Sequence, residues 1–246
     1  MTRRAPKTVG ISVGVLAGVL GGAGPAEAQF MDRGTAIFAR ADQFEYRPTG
    51  AGKPLQWDAS GWIGDSYTRL WIKTEGEWET VGGARQFDLR AEYSRLISAF
   101  WELQGGLRIE HHRRGDRTDT RASLDVGLLG LAPFWFELEP ELFIAQDGQV
   151  SVRLTGEYDL LLTQRLILQP RFETYAAFSQ NERFGIGAGL NYLEPGFRLR
   201  YEIRREWAPY AGLFWTHRLG PTARLAREDG GSTSDLAVVF GLRVWH

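Results

Sequence analysis

The feature that most constrains this chain is an alternation of apolar and polar residues with a period of two, which recurs from Phe44 to the C-terminus. In residues 150–159, for example, valine, leucine, glycine and tyrosine alternate with serine, arginine, threonine and acidic residues. Successive side chains of a β-strand point to opposite faces, so the alternation predicts strands with one apolar and one polar face. Counting these segments between turn-forming residues predicts about twelve strands, within a range of roughly 10 to 14.

Residues 157–171 fit a short buried helix at their centre and β-strands at their flanks. The centre of this stretch, residues 160–168, is apolar enough for a short buried helix, but both flanks keep the period of two. The stretch therefore predicts a hairpin with a tight turn at residues 161–164. Its apolar side chains, such as Leu154 and Phe172, are expected on the face opposite its charged side chains.

The connections between the predicted strands indicate a barrel. Short connections, such as residues 131–133, alternate along the chain with connections that are mostly longer, such as residues 220–234. An even number of strands with both termini at the short-turn end is typical of bacterial outer-membrane barrels. Closing the sheet also removes the edge strands that alternating ribbons would otherwise expose. Residues 185–192 fit either a loop or a strand.

A soluble barrel with its apolar face inward and a membrane barrel with its apolar face outward both fit the alternation. The polar face is rich in Arg, and an Arg that faces lipid at mid-depth costs about 2–4 kcal/mol, so these residues belong in a lumen. Aromatic residues near strand ends predict the interfacial girdles of a membrane barrel. They are Trp57, Trp71, Trp101, Phe134, Trp135, Trp207, Tyr210 and Trp215. We therefore predict an all-β fold, a transmembrane antiparallel up-and-down β-barrel with a polar lumen.

The N-terminus has the three parts of a secretory signal peptide. Basic residues near the start precede an apolar, small-residue run at 9–23, and Ala26-Glu-Ala28 has the Ala-x-Ala pattern of a cleavage site. A membrane-anchor helix is disfavoured because the run is short and rich in glycine. We predict a cleaved signal peptide at 1–28, a short periplasmic lead-in at 29–41 and the barrel at 42–246, and hence an exported protein.

Charge and composition exclude several classes of function. The 29 basic and 30 acidic residues leave no excess positive charge for a nucleic-acid partner. The absence of cysteine excludes disulfides, thiolate metal sites and thiol catalysis. Four scattered histidines assemble no Ser-His-acid constellation, so no enzymatic activity is expected.

Several runs of this sequence carry a resemblance to a known family. They are Gly61-Trp-Ile-Gly64, Arg69-Leu-Trp-Ile-Lys-Thr-Glu-Gly-Glu77, Tyr93-Ser-Arg-Leu-Ile-Ser98, Gly130-Leu-Ala-Pro-Phe-Trp-Phe-Glu137, Glu157-Tyr-Asp-Leu-Leu-Leu-Thr-Gln-Arg-Leu-Ile-Leu-Gln-Pro-Arg171 and Arg198-Leu-Arg-Tyr-Glu-Ile-Arg-Arg-Glu-Trp-Ala-Pro-Tyr210. From about Asp42 to the C-terminus, the chain resembles the copper resistance protein B family. The resemblance implies an outer-membrane barrel of a Gram-negative bacterium that takes part in copper tolerance. It also implies copper ion as the ligand, contact with outer-membrane lipid, and periplasmic copper-binding proteins as partners.

The chain departs from that family at one place. Family members commonly carry a Met- and His-rich segment between signal peptide and barrel, and such soft ligands suit copper. Here the corresponding interval, residues 29–41, contains Met31 and no histidine. The resemblance therefore covers the barrel part of the family's function, with Met31 as a single candidate ligand in the interval.

His111 and His112 are the other candidate metal ligands, because adjacent imidazoles can bind copper. They belong to the charged run at residues 111–117, where two neighbouring arginines disfavour a cation. The alternative, which those charges favour, is a solvated outer loop. The remaining histidines, His217 and His246, are isolated and fit interfacial positions.

The polar face of the predicted strands supplies a larger set of candidate lumen residues. They are Asp125, Glu137, Glu139, Glu141, Arg153, Glu157, Asp159, Arg171, Glu173, Arg198, Arg200, Glu202 and Arg204. Their carboxylates could line a path for a cation such as copper, with the arginines setting its width. The alternative, which we favour, is a polar core in which arginines and carboxylates only neutralise one another, because buried charges must be paired. A copper-tolerance barrel, a general small-solute channel and a purely structural barrel all remain open.

Overall fold

The computed structural model describes residues 34–48, 54–79, 85–114 and 116–245. Thirteen strand segments make up most of this part of the chain. They are β1 (Ala36–Tyr46), β2 (Pro54–Gly64), β3 (Thr68–Glu79), β4 (Arg85–Ser98), β5 (Trp101–Arg114), β6 (Arg117–Ala132), β7 (Phe136–Ala145), β8 (Val150–Glu157), β9 (Leu160–Leu161), β10 (Leu166–Ala177), β11 (Gly189–Tyr201), β12 (Trp207–Arg218) and β13 (Ser234–Trp245). One helix, α1 (Gly220–Glu228), and two single-turn 3-10 helices, Pro133–Trp135 and Glu182–Phe184, complete the described elements.

The sheet closes on itself. Neighbouring strands pair in antiparallel fashion around the wall, and β13 pairs with β1, so the wall has no free edge. β8 and β9 both pair with β10 in one continuous register and form a single wall strand interrupted at residues 158–159. The thirteen segments therefore make twelve wall strands. The predicted all-β barrel and its strand count are confirmed.

Side chains alternate between the two faces of the wall as predicted. In β4, Leu89 and Tyr93 are 43% and 52% exposed, whereas Asp88, Arg90 and Glu92 are buried. The same division holds around the barrel, with exposed aliphatic and aromatic side chains outside and buried charged side chains inside. Apolar residues outward and charged residues inward is the arrangement of a membrane-spanning barrel and the inverse of a soluble one.

The barrel begins at Ala36 and not at position 42 as predicted. Residues 36–41 pair with residues 59–64 of β2, so the second half of the predicted lead-in belongs to the wall. The alternation is weak there because several of these positions are alanine, which contributes little apolar contrast. The predicted signal peptide, its cleavage site, Met31 and His246 lie outside the described residues.

The two ends of the barrel differ in their connections. At the short-turn end, short turns join β2 to β3, β4 to β5, β6 to β7, β9 to β10 and β11 to β12. The start of β1 and the end of β13 lie at this end as predicted. At the opposite end, which we call the loop end, the β12–β13 connection contains α1 and the β10–β11 connection contains the turn Glu182–Phe184.

Helix α1 interrupts a segment that the sequence predicts as loop. Its local signal is Pro221 in the first turn, followed by Ala, Arg and Leu, which favour a helix. Among the described residues, no helix is both long and apolar enough to cross a membrane.

The predicted outer loop around His111 and His112 is wrong. β5 continues through both histidines to Arg114, and both pair through the backbone with β6. The high charge of this segment is compatible with a strand because a hairpin that extends beyond the lipid has water on its outer face. The loop is correspondingly short, since β6 begins at Arg117.

Two of the aromatic residues predicted for the interfacial girdles face inward. Trp71 and Tyr210 are each 5% exposed and lie in the lumen. Their polar ring atoms explain this placement, because both find partners there. Trp71 Nε1 donates to Ser94 Oγ over 3.1 Å, and the Tyr210 hydroxyl donates to Glu45 over 3.0 Å.

The turn between β6 and β7 presents two strongly exposed aromatic side chains at the short-turn end. Phe134 and Trp135 are 83% and 70% exposed, and both have a φ of 67°. A positive φ in a non-glycine residue costs about 1–3 kcal/mol. The strained turn therefore holds both rings where an interfacial girdle is expected.

The hairpin predicted at residues 157–171 is confirmed, with its turn one residue later than predicted, at 162–165. Leu154 and Phe172 lie on the outer surface, and Arg171 lies in the lumen. The apolar centre of this stretch is therefore a strand end and a turn, not a helix.

Candidate functional site

The lumen is crossed by ion pairs between strands, and a large connected group, the central network, lies on β3 to β8. Its members are Lys73, Glu75, Asp88, Arg90, Glu92, Arg108, Glu110, Arg121, Glu139, Glu141 and Arg153. All occupy inward-facing positions of the alternating strands, so neighbouring strands bring opposite charges side by side.

Arg90 and Arg153 join the members of the central network that lie on different strands. Arg153 Nε donates to Glu141 Oε2 over 2.7 Å, and the same guanidinium also contacts Glu75. Arg90 bonds Glu141 from the other side and lies 3.5 Å from Glu75. Both arginines are thus shared by Glu141 and Glu75, which fixes the positions of all four side chains.

An aromatic ring supports this network from within. Phe143 is fully buried between two guanidinium groups, with Arg108 4.3 Å and Arg153 5.5 Å from its ring centre. Arg108 Nε also donates to Asp88 Oδ2 over 2.6 Å. Such cation–π contacts stabilise a buried arginine on the face that no carboxylate covers.

A second group surrounds Glu45, where the first strand of the barrel meets the last ones. Glu45 is completely buried and accepts hydrogen bonds from Arg47 over 2.9 Å and from Tyr210 over 3.0 Å. Its other near neighbour is the guanidinium of Arg198, at 3.4 Å. Arg47 also bonds Glu194 over 3.3 Å. This group therefore ties β1 to β11 and β12 across the closure of the barrel.

Toward the short-turn end the lumen contains a cavity of about 60 Å³, here called the acidic cavity. Its carboxylates are Asp42, Asp58, Glu75, Glu137, Glu139, Glu157 and Glu173, and its cationic groups are Arg40, Lys73, Arg90, Arg153 and Arg171. Seven carboxylates against five cationic groups leave an excess of negative charge. Carboxylate oxygens bind hard cations, so the lining can accept a small hydrated cation and disfavours an anion.

The loop end is held closed around Asn191, a buried residue of β11. Its side chain accepts a hydrogen bond from the backbone of Ala177 over 3.1 Å and donates to the carbonyl of Gly187 over 3.0 Å. It also donates to Thr222 Oγ1 over 2.7 Å. One amide therefore fixes β10, the β10–β11 connection and α1 to each other.

The β10–β11 connection also reaches across the barrel mouth. The ring of Phe184 lies 4.4 Å from the guanidinium carbon of Arg121 and meets His112 edge-on at 4.9 Å. Asn181 donates to Asp147 in the β7–β8 connection over 2.8 Å. The β10–β11 connection thus covers part of the lumen at the loop end.

Replacing Asn191 by Ala is expected to loosen this closure. The change removes the side-chain partner of the Ala177 N–H and of the Gly187 carbonyl, at a cost of about 1–3 kcal/mol. Trypsin should then cleave after Arg183, in the β10–β11 connection, faster than in the wild type, as followed by mass spectrometry. Gln180→Ala, an exposed change in the same connection, is the control. Equal protection of Arg183 in the wild type and Asn191→Ala would contradict the prediction.

Most of the predicted lumen residues lie in the lumen. Those at inward-facing strand positions are Asp125, Glu137, Glu139, Glu141, Arg153, Glu157, Arg171, Glu173, Arg198 and Arg200. Asp159 and Glu202 lie at the short-turn rim, where carboxylate oxygens of both approach Arg200 Nη2, at 2.8 and 3.9 Å. Arg204 does not line the lumen, because β11 ends at Tyr201 and Arg204 is exposed in the turn that follows.

His111 and His112 do not form a shared metal site. Adjacent strand residues point to opposite faces, so the two imidazoles cannot bind the same ion. His111 stacks on Phe87 at 5.0 Å and lies within hydrogen-bond distance of Thr120 Oγ1, at 3.0 Å. His112 lies at the barrel mouth against Phe184.

Sequence reasoning missed the lumen residues of the first strands. They include Arg40, Asp42, Glu45, Asp58, Lys73, Glu75, Asp88, Arg90, Glu92, Arg108, Glu110 and Arg121. The alternation does indicate that they belong to the polar face, because in β4 the charged positions 88, 90 and 92 fall between apolar ones.

Comparisons with known sequences point to one family. The family model described as copper resistance protein B precursor matches residues 35–246. The copper resistance protein B of Escherichia coli is 36% identical over 204 residues, which cover 83% of this chain and 67% of that protein. The copper resistance protein B homolog of Pseudomonas syringae pv. tomato is 38% identical over 205 residues, which cover 83% of this chain and 68% of that protein.

Solved structures show the same architecture. The NanC porin is similar with a TM-score of 0.54 at 15% sequence identity, covering 85% of this chain and 99% of its own. The KdgM porin is similar with a TM-score of 0.50 at 10% identity, covering 85% of this chain and 98% of its own. At such identities the similarity concerns the fold alone, which is a closed barrel of the outer-membrane type.

Proposed function

The chain belongs to the copper resistance protein B family, and from this premise we propose that it acts in copper tolerance at the outer membrane by admitting copper ions to its lumen. The observation that carries the proposal is the acidic cavity, whose seven carboxylates exceed its five cationic groups. A buried excess of carboxylates is costly unless a cation accompanies it. The lumen is therefore suited to a small cation.

The same geometry disfavours the two alternatives. A general solute channel needs an open lumen, whereas ion pairs cross this one and its cavity measures about 60 Å³. A purely structural barrel needs its lumen charges paired, and an excess of two carboxylates in the acidic cavity opposes that arrangement. Copper ions are small enough to exchange water for carboxylate oxygens without displacing the wall.

The proposal also assigns each end of the barrel to one side of the outer membrane. Bacterial outer-membrane barrels have short periplasmic turns and longer outer loops, so the short-turn end faces the periplasm. Glu137 lies next to the turn that follows β6, and Glu157 lies at the interruption between β8 and β9, which precedes the turn into β10. In this orientation the acidic cavity would exchange copper with periplasmic copper-binding proteins, and a signal peptide cleaved after Ala28 would deliver the chain to the outer membrane.

Deleting the gene in its own host should lower the highest copper concentration that permits growth several-fold, and plasmid-borne wild-type protein should restore it. The double variant Glu137→Gln, Glu157→Gln should restore it only in part, because it removes two charges from the acidic cavity while keeping side-chain size. Growth on graded copper measures both effects, and immunoblots of outer-membrane fractions confirm equal amounts of protein.

The matched control is Asp119→Asn, which removes a carboxylate that pairs with Arg117 at the loop end, away from the cavity. It should restore copper tolerance fully. Unchanged tolerance in the deletion strain would refute the proposed function. An equal fall in tolerance to copper, detergents and large antibiotics would indicate a structural role in the membrane.

A further inference from the structure

Three carboxylates converge in the lumen wall beyond the acidic cavity. Glu92 of β4, Asp125 of β6 and Glu141 of β7 each offer an oxygen, and these atoms all lie within 4.8 Å of one another. Each residue is at most 5% exposed. Like charges this close and this buried repel strongly, so a stable arrangement requires a proton or a cation among them.

Asp125 is the member of this cluster that the protein itself leaves unpaired. It is 2% exposed, and its Oδ2 has no hydrogen-bond partner. Glu141 is bonded by Arg90 and Arg153, and Glu92 lies 2.9 Å from Lys73 Nζ. Asp125 has no ion pair of this kind within the described part of the chain. A buried carboxylate that faces two others, with no cation of its own, leaves a position where a bound cation would contact three carboxylates.

Two inward-facing glycines give the three carboxylates room to meet. Gly106 of β5 lies directly between Glu92 and Asp125 in the strand register, and Gly127 of β6 lies opposite Glu141. A Cβ at Gly106 would lie 2.7 Å from the Glu92 Cα, and one at Gly127 would lie 3.2 Å from the Glu141 Cγ. Side chains at these positions would crowd the acidic residues that now converge.

The charge balance of the surroundings matches a divalent cation. The central network contains five cationic groups and six carboxylates, all joined by ion pairs. Asp125 adds a seventh carboxylate, so the negative charge exceeds the positive charge by two. One divalent cation at the cluster would neutralise the whole group.

We propose that Glu92, Asp125 and Glu141 form a divalent-cation site in the lumen wall and that it binds copper as Cu²⁺. The identification of the ion as copper rests on the proposed function, whereas the site itself rests on the carboxylates. Oxygen ligands select hard cations, and Cu⁺ requires the thiolate, thioether or imidazole groups that this cluster lacks. Among first-row divalent ions, Cu²⁺ binds a given set of ligands most tightly.

The three-carboxylate cluster adjoins the acidic cavity. Lys73 bonds both Glu139 of the acidic cavity, at 2.6 Å, and Glu92 of the cluster, at 2.9 Å. Arg90 and Arg153 line the acidic cavity and bond Glu141 of the cluster. The three cationic side chains therefore contact both groups of carboxylates, so the acidic cavity and the three-carboxylate cluster are adjacent in the lumen.

The test uses the purified, folded barrel in detergent, titrated with CuSO₄ at neutral pH. We expect Cu²⁺ binding in calorimetry whose tightest site depends on Asp125, and an electron paramagnetic resonance spectrum of oxygen ligation, without nitrogen hyperfine splitting. Asp125→Asn should weaken binding by at least about tenfold, because even residues outside the ligand shell contribute that much at metal sites. Glu202→Gln, which changes a carboxylate at the short-turn rim, is the control and should bind as the wild type does.

Thermal unfolding shows whether a loss of Cu²⁺ binding by Asp125→Asn comes from a folding defect. Asp125→Asn conserves size and removes repulsion, so without metal its unfolding temperature should equal or exceed that of the wild type. Addition of CuSO₄ should raise the unfolding temperature of the wild type and of Glu202→Gln more than that of Asp125→Asn. The absence of Cu²⁺ binding by the wild type, equal binding by Asp125→Asn, or a nitrogen-ligated spectrum would overturn the site.

The outcome for the site is separable from that for copper tolerance. Binding with the expected properties supports the site even if the deletion strain keeps its tolerance. A loss of tolerance in that strain, together with equal Cu²⁺ binding by the wild type and Asp125→Asn, would support the proposed function and overturn the site.

Discussion

Replacing Glu45 by Ala is expected to lower the free energy of unfolding of the barrel by about 3–5 kcal/mol. Glu45 is completely buried, and it is bonded by Arg47 and Tyr210 and paired with Arg198. Removing one partner of a buried ion pair leaves the other charges uncompensated, which costs more than the intact pair contributes. Arg198 has no other ion pair within the described residues, so its charge would be the most affected.

Urea titration of the barrel in lipid vesicles, followed by tryptophan fluorescence, measures this effect. Tyr210→Phe removes only one hydrogen bond to the same carboxylate and should cost about 1 kcal/mol. Glu202→Ala, at the solvent-accessible short-turn rim, should cost less than about 1 kcal/mol. A cost below about 1 kcal/mol for Glu45→Ala would mean that water replaces the carboxylate, and that the lumen is more hydrated than the ion pairs imply.

The position of Glu45 in the lumen could be predicted from the sequence, but its partners could not. Glu45 lies between Phe44 and Tyr46, so the period of two assigns it to the polar face. Its partner Arg198 is 153 residues away. Only the closure of β13 onto β1 brings them together, and the alternation gives the face of each residue without the register between strands.

The same limit applies to the three-carboxylate cluster. The polar positions of Glu92, Asp125 and Glu141 follow from the alternation, yet the carboxylates meet because two glycines on the intervening strands leave space. Nothing in the local sequence distinguishes Gly106 from glycines that serve other purposes. The convergence is a property of the four consecutive strands β4 to β7, and it appears only when their register is known.

Segments beyond the regular wall are less predictable for a different reason. The run around His111 and His112 is highly charged, which is typical of loops, but it continues as a strand because a hairpin outside the lipid can be polar on both faces. Helix α1 lies in a connection whose sequence has no period of two to extend. For α1, hydrogen bonds to distant residues of the folded chain, such as that from Asn191 to Thr222, hold the segment in place.

The ion pairs that fill the lumen are also suited to the proposed binding of a cation. Arginines shared between carboxylates hold the oxygen atoms at fixed positions, so a cation meets a rigid set of ligands and not a flexible tail. The acidic excess lies in the cavity and at Asp125, whereas the groups around Glu45 and Arg108 contain matched charges. Substitutions at Glu45 should therefore change stability, whereas substitutions at Asp125 should change cation affinity.

Replacing Leu124 by Arg should cost about 2–4 kcal/mol of folding free energy in lipid vesicles, because the guanidinium would face the hydrocarbon near mid-depth. Leu124 is 54% exposed near the middle of β6, between the outward-facing Leu107 and Ile144 of the neighbouring strands. The loss should appear as a lower urea midpoint in vesicles, and it should shrink in detergent micelles, where the side chain reaches water more easily.

Leu236→Arg is the matched control, since Leu236 is 69% exposed but lies near the loop end of β13. An arginine at the membrane interface should cost only about 0–1 kcal/mol, because its long side chain reaches the headgroups and water. A similar small cost at both positions would contradict a lipid-facing outer surface around β6. A large cost at Leu124 alone would locate the middle of the membrane at the same level as the pair formed by Leu107 and Leu124. The charged lumen would then be enclosed by hydrocarbon at the depth of Asp125, the neighbour of Leu124, where a missing counter-charge is most costly.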